Sequence, residues 1–238
     1  MAKAIAVLGA RNLGGAIAEH FTGVGWSAAA VARSEDSLAA VREKGVLAIQ
    51  ADAADAESLS GALERARSEL GSLDAVVNAV SAARPPRQGP FGGGRLAEAD
   101  VEAFQGWTAA VAEQAFVFLS VGAAALRESG GALVQITGGS SRRAMPGRGL
   151  WAAGAFATRA LVQAAAQELR EEGIHAALLA VDATIESPKT ADFTRDTPRE
   201  ALGDMGEVAR AVEFLVTQGA RSYTHELVVT PAGERWVP

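Results

Sequence analysis

The chain has 238 residues, 49% of them hydrophobic and 21% charged, a net charge of −6 and no cysteine. That length predicts one α/β domain spanning 1–238 with a sizeable core. The missing thiols exclude disulfides, thiol catalysis and cysteine metal sites, and they fit a reducing, cytoplasmic setting. The acidic balance, without a basic stripe of interleaved aromatics, argues against a nucleic-acid partner.

The first residues run straight into a strand-like segment with no secretory signal. No run approaches eighteen consecutive apolar residues, so no membrane span is expected. His20, His175 and His225 are scattered without metal-ligand spacing, and no metal is expected. In chain order, strands are predicted at Ala4–Leu8, Ser27–Ala32, Val46–Gln50 and Ala75–Val80. Helices are predicted between them at about Leu13–Thr22, Asp36–Glu43 and Asp55–Glu69. The stretch Arg84–Arg95, with three prolines and several glycines, reads as a loop. A long apolar-rich helical region follows from about Ala97 to Leu126, then a strand at Ala132–Thr137. A helix over about Leu150–Glu172 and a strand at Ile174–Val181 come next. Thr184–Arg199 reads as a mobile flap, and Asp204 as the N-cap of a helix to about Gln218. Glu226–Thr230 is the last strand. Strands apolar on both faces and alternating with helices predict a doubly wound Rossmann fold, a parallel seven-stranded sheet with helices on both sides.

Between the first strand and first helix lies Gly9-Ala10-Arg11-Asn12-Leu13-Gly14. The spacing fits G-x-G-x-x-G with Arg11 in place of the middle glycine. Glycine lets the backbone approach a pyrophosphate, and the helix N-terminus offers N–H groups and a positive dipole end. A tight turn without a ligand is the competing reading. Arg33 ends the second strand, where an acid would hold the ribose hydroxyls of NAD. An arginine there suits the 2′-phosphate of NADP, and NADP(H) is favoured over NAD(H). Glu35 and Asp36 read as first-turn acids favoured by the helix dipole.

From these residues onward the chain resembles the short-chain dehydrogenase/reductase family over nearly its whole length. Gly14-Gly15-Ala16-Ile17-Ala18 with Gly25 is similar to the family's glycine loop and first helix. Asp52-Ala53 resembles its adenine-contacting segment, and Leu73–Ala79, with Asn78, its fourth strand and Asn-Asn-Ala-Gly motif. Gly131–Thr137 resembles its fifth strand and Thr224–Val229 its last. Ile185-Glu186-Ser187-Pro188 is similar to the segment that closes over the nicotinamide. The resemblance implies a cofactor-binding set of Gly9, Arg11, Asn12, Leu13, Gly14, Arg33, Asp52, Ala53, Asn78, Ile185 and Ser187. It also implies a homodimer or homotetramer through the two long alanine-rich helices, whose small-residue faces permit close packing.

The catalytic positions depart from the family together. Its serine falls at Gly138, its tyrosine at Trp151 and its lysine at Ala155. Its asparagine falls within Val111–Gln114, and its Pro-Gly is Asp182-Ala183. An indole N–H donates a hydrogen bond but is no usable acid. Losing a positioned general acid costs about a hundredfold to ten-thousandfold in rate. Substitute groups are Asp182 first, then Ser140, Ser141, Glu186, Glu113 and Gln114, each weighed against a solvated or capping role. Trp151 either stacks on a flat ligand or fills core. Arg142, Arg143 and Arg148 either receive an anion or form a solvated loop. Tyr223 reads as structural. Three functions follow: an NADP(H)-dependent oxidoreductase with a non-standard proton donor, acting on a small carbonyl, imine or quinone; a catalytically silent nucleotide-binding module; or a non-redox lyase or isomerase in the old pocket.

Overall fold

A computed structural model describes residues 2–234. Four strands build the first half: β1 (Ala4–Leu8), β2 (Ser27–Ala32), β3 (Leu47–Gln50) and β4 (Ala75–Asn78). Helices α1 (Leu13–Gly23), α2 (Glu35–Arg42) and α3 (Ala56–Leu70) join them. Helices α4 (Val101–Thr108) and α5 (Gln114–Leu126) run into each other through a π turn at Ala109–Glu113. Then come β5 (Gly131–Gly138), α6 (Gly149–Glu168) and β6 (Ile174–Val181). The flap carries β7 (Thr184–Ile185) and a short α7 (Ala191–Thr194), and β8 (Leu202–Gly203), α8 (Met205–Val216) and β9 (Glu226–Val229) complete the chain.

Seven strands form one parallel sheet in the order β3-β2-β1-β4-β5-β6-β9. The predicted fold class is therefore observed. Residues of β1 alternate between two cores: Ile5 and Val7 face α1, α2 and α8, while Ala6 and Leu8 face α3, α5 and α6. Such double burial is why β1 reads as a continuous apolar run. Asp55 and Asp204 cap α3 and α8 by accepting from Ser58 N and Glu207 N, each at 2.8 Å.

Two expectations change. The stretch Val101–Leu126 forms 26 residues of helix with mean hydropathy 1.7 over its most apolar window, long and apolar enough to cross a membrane. Interrupting polar residues hid this from a search for continuous apolar runs. The helix packs on α3, α6 and β5, and 56% of that window is buried, so it serves here as an interior helix. The flap is also more organised than its turn formers suggested. Strand β7 pairs with β8, and Thr190 Oγ1 donates to the Ile185 carbonyl at 2.6 Å while accepting from Ser187 N at 3.0 Å.

Tyr223 is structural, as predicted: it stacks on His175 with ring centroids 4.1 Å apart and planes 2° from parallel. His175 Nε2–H donates to the Thr224 carbonyl at 2.9 Å, and His225 Nδ1–H donates to the Ala176 carbonyl at 3.0 Å. Burial holds the His175 imidazole below its ordinary value of 6.5, helped by the neighbouring His225 and opposed by backbone carbonyls. The folded state thus binds fewer protons here than the unfolded chain. Its stability is expected to fall as pH drops through 6.5, and to stop falling below the lowered folded value. Urea titrations between pH 5 and 8 check this. In His175→Phe the dependence should flatten, and an unchanged slope would refute the assignment.

Candidate functional site

The carboxyl ends of β1–β4 frame a cleft of about 710 Å³ at the switch point of the sheet, where β1 sends its neighbours in opposite directions. Gly9, Arg11, Asn12, Arg33, Asp52 and Ala53, six of the expected cofactor residues, all line it. Gly9 lies at φ +108°, outside the range of ordinary side chains. Gly14 packs on it: a Cβ there would sit 2.4 Å from the Gly9 carbonyl oxygen. Asn12 holds φ +47° and makes no side-chain cap, while Gly14 N–H donates to the Arg11 carbonyl at 3.1 Å, so the turn Gly9–Asn12 is the part of this strand-to-helix junction that lines the cleft. Arg11 and Arg33 are exposed at its rim. Among the described residues neither forms an ion pair, so both guanidiniums are available to an anion. Glu35 turns away to pair with Arg42, which holds its carboxyl below the usual range. That geometry fits the reading of Glu35 as a helix-start acid.

Asp52 accepts from Ala54 N at 3.0 Å and pairs with Arg84. Burial alone would raise its carboxyl. The Ala54 N–H and the guanidiniums of Arg84 and Arg33 outweigh that and hold it low. Pro188 and Lys189 reach the cleft from the flap. The sequence reading missed Arg84 and Lys189, because neither lies in a recognisable motif.

Five predicted cofactor residues sit elsewhere. Leu13 opens α1 and packs against the core, and Gly14 serves as its packing surface. Ile185 packs on the core too, and Ser187 bonds to Thr190 beside a separate hollow. Asn78 is fully buried: its Nδ2 donates to Gln114 Oε1 and Gln135 Oε1, both at 2.8 Å. Its Oδ1 accepts from Val80 N at 3.1 Å and Gln114 Nε2 at 3.2 Å. A side chain so engaged cannot face a ligand, which corrects its assignment to the cofactor. Gln114 enters this set because it follows the π turn. That turn points two carbonyls out of the helix: Ala110 O accepts from Ala83 N at 2.8 Å, and Val111 O from Thr158 Oγ1 at 3.4 Å.

At Gly138, Trp151 and Ala155, the positions to which the resemblance assigns catalysis, no acid–base set assembles among the described residues. Trp151 lies 5.1 Å from Phe91 and 5.7 Å from Trp107, ring centroid to centroid, and Phe91 and Trp107 are 5.3 Å apart. Each such pair contributes about 0.5–1.5 kcal/mol beyond burial. Arg148 lies over Phe91 at 5.5 Å. Gly92 and Gly93, at φ +78° and +94°, let the loop press against Arg148 and Leu150 and bring Phe91 over Trp151. Ala155 is 1% exposed, in a helix whose Gly154 abuts Val111, so the position offers no room for a solvated lysine.

Asp182 is buried against Gly139 and lies 3.4 Å from Arg143. Arg143 also lies 3.8 Å from Glu234. Arg142 and Arg159 both pair with Glu226, the latter at 2.9 Å. Arg142, Arg143 and Arg148, read as either anion-receiving or solvated, are thus turned toward carboxylates and Phe91. Glu186 pairs with Arg199 at 3.2 Å, Ser141 Oγ donates to the Gly138 carbonyl at 2.9 Å, and Glu113 is exposed. No hydrogen bond among the described residues joins Asp182, Ser140 and Trp151. Nor do three His, Asp or Glu among the described residues gather as metal ligands.

The switch-point cleft, with a glycine turn feeding a helix N-terminus, belongs to a doubly wound Rossmann fold. A family model described as "Enoyl-(Acyl carrier protein) reductase" matches residues 7–233, and the chain belongs to the short-chain dehydrogenase/reductase family. No curated protein matches the sequence. Among solved structures, the chain is similar to an apo short-chain oxidoreductase of Pseudomonas aeruginosa PAO1 "containing an atypical catalytic center". The identity is 20% and the TM-score 0.82, covering 99% of this chain and 98% of that one. The NADPH-bound form of that protein matches at 20% identity and TM-score 0.80, over 98% and 97% of the two chains. An alcohol dehydrogenase from the archaeon Thermococcus sibiricus, complexed with 5-hydroxy-NADP, matches at 24% identity and TM-score 0.79 over the whole of both chains.

Proposed function

We propose that the chain is an NADP(H)-binding oxidoreductase that reduces a small carbonyl, imine or quinone-type substrate without the family's tyrosine–lysine acid. The observation that carries this reading is the cleft: a shaped glycine turn at the start of α1 and two exposed arginines that form no ion pair among the described residues, where a pyrophosphate and a 2′-phosphate would lie. Arg33 and Arg11 supply charge to the phosphates, and the turn supplies backbone donors. The similar structures with NADPH or an NADP derivative support the same choice. When bound, the cofactor supplies the hydride. The protein positions and desolvates the reactants. Trp151 offers an indole face and one N–H but no proton at neutral pH. The best substrates are therefore those needing little protonation, an iminium ion or a quinone rather than a plain ketone. Asp182, packed under the loop that carries Ser140, is a positioning carboxylate on this reading.

The test is NADPH oxidation against a panel of ketones, iminium ions and quinones. Turnover is expected for the last two classes at least a hundredfold above ketones. Saturable NADPH binding with no turnover on any acceptor would instead favour a nucleotide-sensing module. One observation already points that way, namely Phe91 packed over Trp151.

We also propose a homo-oligomer. Phe116 on α5 and Phe156 on α6 are 56% and 42% exposed on the two alanine-rich helices through which the resemblance implies assembly. Light scattering should find a dimer or tetramer, and Phe116→Glu with Phe156→Glu should dissociate it. A wild-type monomer at micromolar concentration would refute the proposal.

A further inference from the structure

The ion pair between Arg84 and Asp52 crosses the cleft. Asp52 follows β3 and Arg84 follows β4, and β2 and β1 lie between those strands. Three strand spacings of about 4.8 Å make that span about 14 Å. The loop Ala79–Arg84 therefore leans over the ends of β1 and β2 to bring its guanidinium to the far side. Ala83 is tied down on the near side by its N–H to the Ala110 carbonyl, 2.8 Å away, and Arg84 itself holds φ +53°, a conformation that costs about 1–3 kcal/mol in a non-glycine residue. The cleft beside Asp52 is walled by small apolar groups: Ala51, Ala53, Ala79, Ala82 and Ala83, the last of them next to Arg84 in the chain.

In a doubly wound fold the pyrophosphate lies on the first glycine turn and the adjoining ribose at the end of β2. The base then lies between the ends of β2, β3 and β4, in the alanine-walled slot. Resting on the proposal that the cleft binds NADP(H), we infer that Arg84, held flat by Asp52, is the lid over the adenine ring. It is a determinant of adenine affinity and not of the 2′-phosphate. The charge arrangement separates these roles. Arg84 is the direct ion-pair partner of Asp52, whereas Arg33 acts on that carboxylate only from a distance, forms no ion pair among the described residues and is the cation left for the phosphate. A guanidinium plane stacks on aromatic faces without needing net charge at the contact.

Calorimetric titration of the full chain with 2′,5′-ADP, 5′-ADP and reduced nicotinamide mononucleotide, which lacks adenine, tests the lid. Arg84→Ala is expected to weaken both ADP isomers alike, by about tenfold, and to leave the mononucleotide unchanged. Arg84→Lys, which keeps the charge and loses the flat face, should weaken them nearly as much. A loss confined to 2′,5′-ADP would overturn the inference, because Arg84 would then meet the phosphate. Unchanged affinity in Arg84→Ala would overturn it as well, while leaving the cofactor proposal standing. Absence of binding of NADPH and of both ADP isomers to the wild-type chain would remove the cofactor proposal and the lid together.

Discussion

Gly14→Ala is expected to lower stability by about 2–3 kcal/mol and to cut NADPH affinity more than tenfold. The methyl would sit 2.4 Å from the oxygen and 2.8 Å from the carbonyl carbon of Gly9. Both are backbone atoms, so no side chain can swing away. Relief requires α1 to move off the turn, and that motion displaces the Gly9–Asn12 backbone that lines the cleft. Gly23→Ala on the same helix is the control, since its added methyl meets nothing within 4 Å. Thermal melts and NADPH titrations of both variants check the prediction. If Gly14→Ala behaved as Gly23→Ala does, the close turn would not shape the nucleotide site.

The second large effect is expected at Asn78. Replacing it with leucine strips partners from both Gln114 amide atoms, from Gln135 Oε1 and from Val80 N–H. Asn78 and both glutamines are no more than 3% exposed, so water does not restore the lost bonds. Buried polar groups left this way cost about 1–3 kcal/mol each, and a connected set loses more than a single bond. A loss of about 3–5 kcal/mol is expected in urea unfolding. NADPH affinity of the remaining folded protein should change little, because Asn78 lies beneath the cleft. A stable Asn78→Leu variant with abolished nucleotide binding would reverse the assignment and return Asn78 to the cofactor site.

Much of the scaffold was legible because its signals are local. Doubly buried strands read as apolar runs, Asp55 and Asp204 announce helix starts, and Gly9 ends β1 where a turn must begin. Arg33 was legible for the same reason, lying at the end of a clear strand. The groups that complete the site depend on distances the sequence does not carry. Arg84 reaches an aspartate 32 residues earlier by leaning across two strands. Asn78, Gln114 and Gln135 meet only because β4 and β5 are neighbours and a π turn swings Gln114 inward. Trp151 was recognised as a replacement, but its partners Phe91 and Trp107 lie on a loop and a helix that no periodicity links to it. The basic loop misled for a related reason: Arg142 and Arg143 look solvated in sequence, yet their carboxylates come from distant strands and from Glu234.

On the proposed reading the nucleotide cleft persists, and packed aromatic rings stand where the resemblance places the acid–base site. Titration of NADPH and NADH against intrinsic tryptophan fluorescence, in the wild type, Arg33→Ala and Trp151→Phe, decides whether it does. Saturable binding of NADPH is expected, at least tenfold tighter than NADH, with the preference lost in Arg33→Ala and the binding retained in Trp151→Phe. Absence of saturable binding of either dinucleotide, or tighter binding of NADH that Arg33→Ala leaves untouched, would contradict it.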